Sequence, residues 1–137
     1  MIFADTSFWV AARLRRDERH QEAIELLREH REQTLLTTNH VRGETWTFLR
    51  RRDDHAGAVE YLDMLDRTRR IRVERVSERL EDEALKWLRR HDERQYSFVD
   101  ATSFALMRSL RIREALAFDD DFAAAGFIEL RAGAGPG

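Results

Sequence analysis

At 137 residues the chain suits one domain and is short for two. With 42% apolar and 36% charged residues it can build one packed core, which argues against a disordered linker protein. The 24 basic and 26 acidic side chains give net −2, which excludes coating nucleic acid by bulk charge; the lack of cysteine excludes disulfides, thiolate metal centres and a cysteine nucleophile.

Residues 2–4 (IFA) read as a short buried strand that ends at Asp5. Asp5 lies inside the only apolar stretch of the N-terminus and the arginines follow that stretch, the opposite of a signal peptide. No segment approaches the ~18 apolar residues of a membrane span. The expectation is a cytoplasmic domain with no membrane partner. Residues 20–31 carry Ala23, Ile24, Leu26 and Leu27 at helical spacing, and residues 34–37 (TLLT) form a second strand. Two helical patterns follow, 39–52 and 56–67, then a third strand at 71–76 (IRVERV) with strict alternation. A helix over 78–90 precedes one over 98–110 that is apolar almost all round and should be buried at the centre of the molecule. Strands at 115–118 (ALAF) and 127–130 (FIEL) complete the set. The only proline, Pro136, lies in AGAGPG, so residues 132–137 read as a disordered tail after a single domain over 1–131.

Strands separated by helices imply an α/β fold, with a central parallel sheet of about five strands and helices on both faces. Ligand crevices in such sheets lie beyond the carboxyl ends of the strands. Asp5 closes the first strand, and the run FDDDF puts Asp119 to Asp121 after the fourth. Either acid can also serve simply as a helix N-cap. Asp100 stands in the first turn of the apolar helix, where Ser97 caps and Asp100 answers as the third residue of a capping box. Capping and metal binding are compatible, because a carboxylate has several lone-pair sites. At 100° per residue Glu44 flanks the stripe of Val41, Thr45, Phe48 and Leu49; Arg42, Arg50 and Arg51 are nearby salt-bridge partners for it. Four converging carboxylates cannot all stay ionised without a counter-charge, and hard oxygen ligands select Mg²⁺ or Mn²⁺. Such a site suits metal-assisted phosphodiester hydrolysis.

Four stretches, in order, resemble a PIN domain of the VapC-type toxin ribonucleases: IFADTSFWVA, TTNHVRGETWTFL, YSFVDATSFALMRSLRI and ALAFDDDFAAAGFIEL. The resemblance runs from Met1 to about Arg131. It implies a PIN-like three-layer α/β/α sandwich and a Mg²⁺- or Mn²⁺-dependent endoribonuclease, the toxin of a VapBC-type pair. It places the acids on Asp5, Glu44, Asp100 and Asp119, with Asp5, Asp100 and Asp119 holding metal and Glu44 completing the shell or orienting water. It places supporting hydroxyls on Thr6 or Ser7 and on Ser103. Two departures stand out. Ala117 occupies a position where relatives often have threonine, and the triple aspartate leaves Asp121 as an alternate to Asp119. The resemblance also implies an RNA substrate, a cognate VapB-type antitoxin and a homodimer.

Phosphate contacts would come from local clusters: Arg13, Arg15 and Arg16; Arg50, Arg51 and Arg52; or Arg67, Arg69, Arg70, Arg72 and Arg75. Each also suits a solvated helix end. Trp9 and Trp46 read as core, and the five histidines show no ligand-like spacing. The alternative function is a non-catalytic or DNA-directed PIN-like nucleic-acid-binding protein. A phosphatase would want a DxD element after the first strand, and Asp5-Thr6-Ser7 lacks it.

Overall fold

A computed structural model describes residues 1–133 of the chain. The strands β1 (Ile2–Ala4), β2 (Leu35–Thr38), β3 (Ile71–Glu74), β4 (Glu114–Leu116) and β5 (Ile128–Glu129) form one sheet in the order β3-β2-β1-β4-β5. Every neighbouring pair is parallel. The helices are α1 (Thr6–Arg13), α2 (His20–Glu29), α3 (Asn39–Arg52), α4 (His55–Arg67), α5 (Glu78–Arg90), α6 (Phe98–Leu110) and α7 (Asp121–Ala124). This is the three-layer α/β/α sandwich that the PIN-domain resemblance implies. Among the described residues no helix is long and apolar enough to cross a membrane.

The central strands β1 and β2 are buried along their whole length, as helices on both faces require, and in β2 that burial takes in Thr37 and Thr38 as well as Leu35 and Leu36. β3 is an edge strand, and its alternation leaves Arg72 exposed beside Ile71 and Val73. It stops at Glu74, two residues short of the alternating pattern, where the Val76 N–H turns away to donate to Asn39 Oδ1 at 2.9 Å. The apolar helix α6 lies in the core, with residues 100–107 all buried. Its Phe104 meets Phe122 edge-on at 4.9 Å and Trp87 at 5.3 Å. Each large side chain of this kind contributes about 1.5–3 kcal/mol when fully buried. α6 ends on Arg111 in the left-handed region (φ 58), with the Ile112 N–H returning to the Met107 carbonyl at 2.9 Å.

Chain order reverses on the two sides of β1: β2 pairs on one side and β4 on the other. The carboxyl ends of β1 and β4 therefore flank the topological switch point, where a doubly wound sheet opens a crevice. At the C-terminal end Ala132 and Gly133, placed by sequence in the tail, donate their backbone N–H groups to Glu22 Oε2 (3.1 Å) and Glu29 Oε1 (2.9 Å) of α2. The rest of the tail reading, residues 134–137, lies outside the described residues.

Candidate active site

A cavity of 780 Å³ opens at that switch point. Its lining includes Asp5, Thr6, Ser7, Glu44, Asp100 and Asp119. Four elements deliver the acids. Asp5 follows β1 directly and is the N-cap of α1, with its Oδ2 accepting the Ser7 N–H at 3.2 Å. Asp100 sits in the first turn of α6, where Ser97 Oγ accepts from the Asp100 N–H (2.9 Å) and Asp100 Oδ2 accepts from the Ser97 N–H (3.1 Å). Glu44 projects from α3, half-buried beside buried Val41 and Thr45. Asp119 follows β4, and its Oδ1 accepts the Asp121 N–H at 3.2 Å. The capping and site readings of Asp5 and Asp100 thus hold together: each caps a helix with one oxygen and faces the cavity.

Ser7 ties the two central strand ends together. Its hydroxyl donates to Asp5 Oδ2 at 2.8 Å and accepts the Phe118 N–H at 3.0 Å. Thr6 also lines the cavity, and its hydroxyl is buried without a hydrogen-bond partner. Ser103 is placed differently: it is buried on α6 and donates to the Val99 carbonyl at 2.9 Å, not to Asp100.

Burial and mutual repulsion act on the carboxylates together. Burial, then the charges of Asp119 and Asp100, push the Asp5 carboxyl well above the usual range. Burial, with Asp119 and Asp121 nearby, raises Asp100 to about 7. Burial and then Asp121 raise Asp119 to about 6. A cation among these groups would oppose all three shifts, because positive charge favours the ionised carboxylates. Carboxylate oxygens of Asp100, Asp119 and Asp121 lie within 4.8 Å of one another, a spacing that one divalent ion can span. Asp5 Oδ1 is buried and unpartnered, as an oxygen reserved for a ligand would be. The donor set is all oxygen, which fits Mg²⁺ or Mn²⁺.

Asp121 therefore joins the acidic cluster alongside Asp119. It is not a wall of the main cavity, and Arg94, which precedes α6, holds its Oδ1 at 2.9 Å. Sequence patterns do not single out Arg94, Phe48 or Phe118 as site residues. Arg94 lies in a polar stretch with no periodicity, whereas Phe48 and Phe118 look like core residues. In the fold both aromatics line the cavity under guanidinium groups: Arg52 over Phe48 at 4.4 Å, Arg19 over Phe118 at 5.2 Å and Arg131 over Phe118 at 5.3 Å. Trp9 is core, 1% exposed, with its indole N–H directed at Thr37 Oγ1. Trp46 is half-buried against His55.

The likeness to known proteins extends over nearly the whole chain. The PIN domain family matches residues 2–128. The chain is 53% identical over 131 residues to the 23S rRNA-specific endonuclease VapC20 of Mycobacterium tuberculosis, in strains CDC 1551/Oshkosh and H37Rv; the match covers 96% of this chain and 98% of the relative. The fold superposes on the crystal structure of Mycobacterium tuberculosis VapC20, a sarcin–ricin loop cleaving toxin, with a TM-score of 0.89 and 51% identity, over 96% of this chain and 99% of that one. With the acidic crevice at the switch point and these likenesses together, the chain belongs to the PIN-domain family, among its VapC-type toxin ribonucleases.

Proposed function

We propose that this protein is a divalent-metal-dependent endoribonuclease that cuts 23S ribosomal RNA at the sarcin–ricin loop and is held in check by a VapB-type antitoxin. The observation that carries the reading is the acidic cluster at the switch point: Asp5, Asp100 and Asp119 line one cavity, carboxylate oxygens of Asp100, Asp119 and Asp121 lie within 4.8 Å of one another, and Asp5 Oδ1 is buried without a partner. The choice of RNA rests on the 53% identical relative, named for 23S rRNA, and on the sarcin–ricin loop cleavage stated for the matched structure. An antitoxin, a homodimer and a cytoplasmic location accompany this reading as the ordinary setting of a toxin that attacks ribosomes.

Asp5, Asp100 and Asp119 would hold the ion, with Asp121 within reach of Asp100 and Asp119 and Glu44 lining the same cavity. Such an ion supplies positive charge to the phosphoryl oxygens and acidifies water at neutral pH. Ser7 fixes the Asp5 carboxylate, so one oxygen is held and the other stays free. The Ser97 box fixes Asp100 in the same way. Glu44, which lines the same cavity from α3, would complete the shell or orient the attacking water. The first turns of α1 and α6 contribute Thr6, Ser7 and Asp100 to the cavity lining, and a helix N-terminus favours an anionic phosphate.

The test is cleavage of a labelled RNA panel, including a sarcin–ricin hairpin, with Mg²⁺, Mn²⁺ and EDTA arms, matched DNA and the variant Asp5→Asn. Cleavage of the hairpin that requires the metal and is lost in Asp5→Asn is the expected result. Cleavage that survives EDTA or the substitution would sink the metal mechanism, and equal cutting of DNA would sink RNA as the substrate.

A further inference from the structure

Of the three arginine clusters visible in the sequence, the fold joins two at one place and engages three of the five arginines of the third elsewhere. Arg16, after α1, donates from Nη2 to the carbonyl of Arg52 at the end of α3, at 2.6 Å. Both residues line the acidic cavity. Arg52 also lies over the ring of Phe48, one turn earlier on α3, and Glu44 stands one turn earlier again. A second hollow of 380 Å³ shares Glu44, Phe48 and Arg52 with the first and continues to Arg51. The groove therefore runs from the acids along the face of α3 that carries residues 44, 48 and 52, then on to a basic end. In the third cluster Arg67 is paired with Glu60, Arg72 with Glu74, and Arg70 is spent on the carbonyls of Leu27, His30 and Gln33.

The charges along this groove differ in availability. Arg19 also lines the cavity, but it is paired with Glu22 at 2.8 Å and covers Phe118. Among the described residues Arg16 and Arg52 have no carboxylate within 4.0 Å, although Asp17 and Glu18 stand on the same rim. Both are exposed. A guanidinium that is free of carboxylates, oriented by an aromatic face and set beside a hydrolytic centre is suited to a phosphate oxygen. Acids on the cavity floor repel a polyanion, so a strand that enters needs cationic holds outside the floor.

We propose that Arg16 and Arg52 form a clamp for a backbone phosphate of the RNA flanking the one that is cut, with Arg51 as the next hold along α3. This rests on the ribonuclease reading above. Phe48 is the positioning residue: it keeps the Arg52 guanidinium against the groove wall. The strand thus leaves the acids along α3, away from Arg94 and Asp121.

The experiment measures binding of a fluorescent single-stranded RNA to the full chain by anisotropy in EDTA, across a salt series, together with Mn²⁺-dependent cleavage kinetics. The variants are Arg16→Gln, Arg52→Gln, their double, Arg52→Lys, and Arg69→Gln as a remote control. Each single loss should weaken RNA binding about tenfold. The double variant should flatten the slope of log affinity against log salt by about 0.7, the value for one neutralised phosphate on a single strand. KM should rise while kcat holds within about twofold. Arg52→Lys should restore part of the affinity, and Arg69→Gln should match the parent. Calorimetric Mn²⁺ affinity should stay unchanged and Tm should fall by no more than the loss of the exposed Arg16–Arg52 hydrogen bond, whereas a merely structural tie would lower Tm and leave the salt slope as it was. An unchanged salt slope in the double variant overturns the clamp, as does failure of the parent chain to bind RNA in EDTA. If the clamp variants lose binding but no RNA is cut with Mn²⁺, the clamp stands and the ribonuclease reading falls; metal-dependent cleavage with unchanged KM gives the reverse.

Discussion

Replacing Asp100 with asparagine should stabilise the metal-free protein while destroying its activity. The asparagine side chain would keep the capping box, because its carbonyl oxygen can still accept the Ser97 N–H that Asp100 Oδ2 accepts now at 3.1 Å. What the substitution removes is a carboxylate 7% exposed, near Asp119 and Asp121, with its pKa raised from 3.8 to about 7. The folded chain therefore binds this proton more tightly than the unfolded chain. Stability from this group is greatest below pH 3.8, falls as pH rises through the window up to about 7, and is flat above it. At about 1.4 kcal/mol per pKa unit, the ionised group costs the native state about 4 kcal/mol at pH 8 and about 1.5 kcal/mol at pH 5. The neutral amide escapes that cost apart from its own smaller desolvation. Thermal unfolding in EDTA should show Asp100→Asn melting roughly 10 °C above the parent at pH 8, with the gap shrinking to a few degrees at pH 5. Saturating Mn²⁺ should narrow the gap at pH 8, since an ion at a hundred times its Kd stabilises the parent by about 2.7 kcal/mol and the variant, short of one ligand, by less. A variant no more stable than the parent in EDTA at pH 8 would refute the claim that repulsion and burial strain this cluster.

Three further outcomes follow from the same geometry. Ser7→Ala breaks the bridge between Asp5 Oδ2 and the Phe118 N–H and leaves that amide without its partner, so stability should drop by about 1–3 kcal/mol in urea titrations and the Mn²⁺ dependence of cleavage should move to higher concentration; an unchanged metal optimum would mean Ser7 does not orient Asp5. Mn²⁺ binding should release protons at pH 6, where Asp100 and Asp119 are still partly protonated with values of about 7 and 6. The observed binding enthalpy should then vary with buffer ionisation heat at pH 6 and much less at pH 9, and buffer-independent heats at pH 6 would contradict it. Arg111→Gly should stabilise the chain by about 0.5–1 kcal/mol, because Arg111 occupies the left-handed region at φ 58, where a Cβ crowds the following carbonyl; a lower urea midpoint would show that the arginine side chain makes up for that cost.

The sequence by itself determines most of the elements and most of the acids. Period-2 and period-3.6 patterns locate the five strands and the five longer helices to within about two residues, because burial on one face or two writes itself directly into the order of apolar residues, whereas the short α1 and α7 are not located by pattern. Asp5 and Asp119 are visible as acids after strands, and the Ser97–Asp100 capping box as a local spacing, because each depends on neighbours a few residues away. The four stretches that resemble a PIN domain carry the family and the expected acids. Tertiary structure alone decides the rest, since it depends on groups far apart in the chain. The strand order puts β4 beside β1, which brings Asp119 to Asp5 across more than a hundred residues. Asp121 joins the acids under Arg94 because α7 begins immediately after the β4 loop, a turn in which Asp120 takes φ 66. Ser103, which the resemblance offers as a support near Asp100, donates instead to the Val99 carbonyl of its own helix. Arg16 meets Arg52 only because α1 and α3 pack together, and Arg70 is withdrawn from solution by three carbonyls of the α2 end. A charge in a sequence has a sign but no address; packing assigns its neighbours, and the neighbours decide whether it holds a phosphate, a carboxylate or the end of a helix.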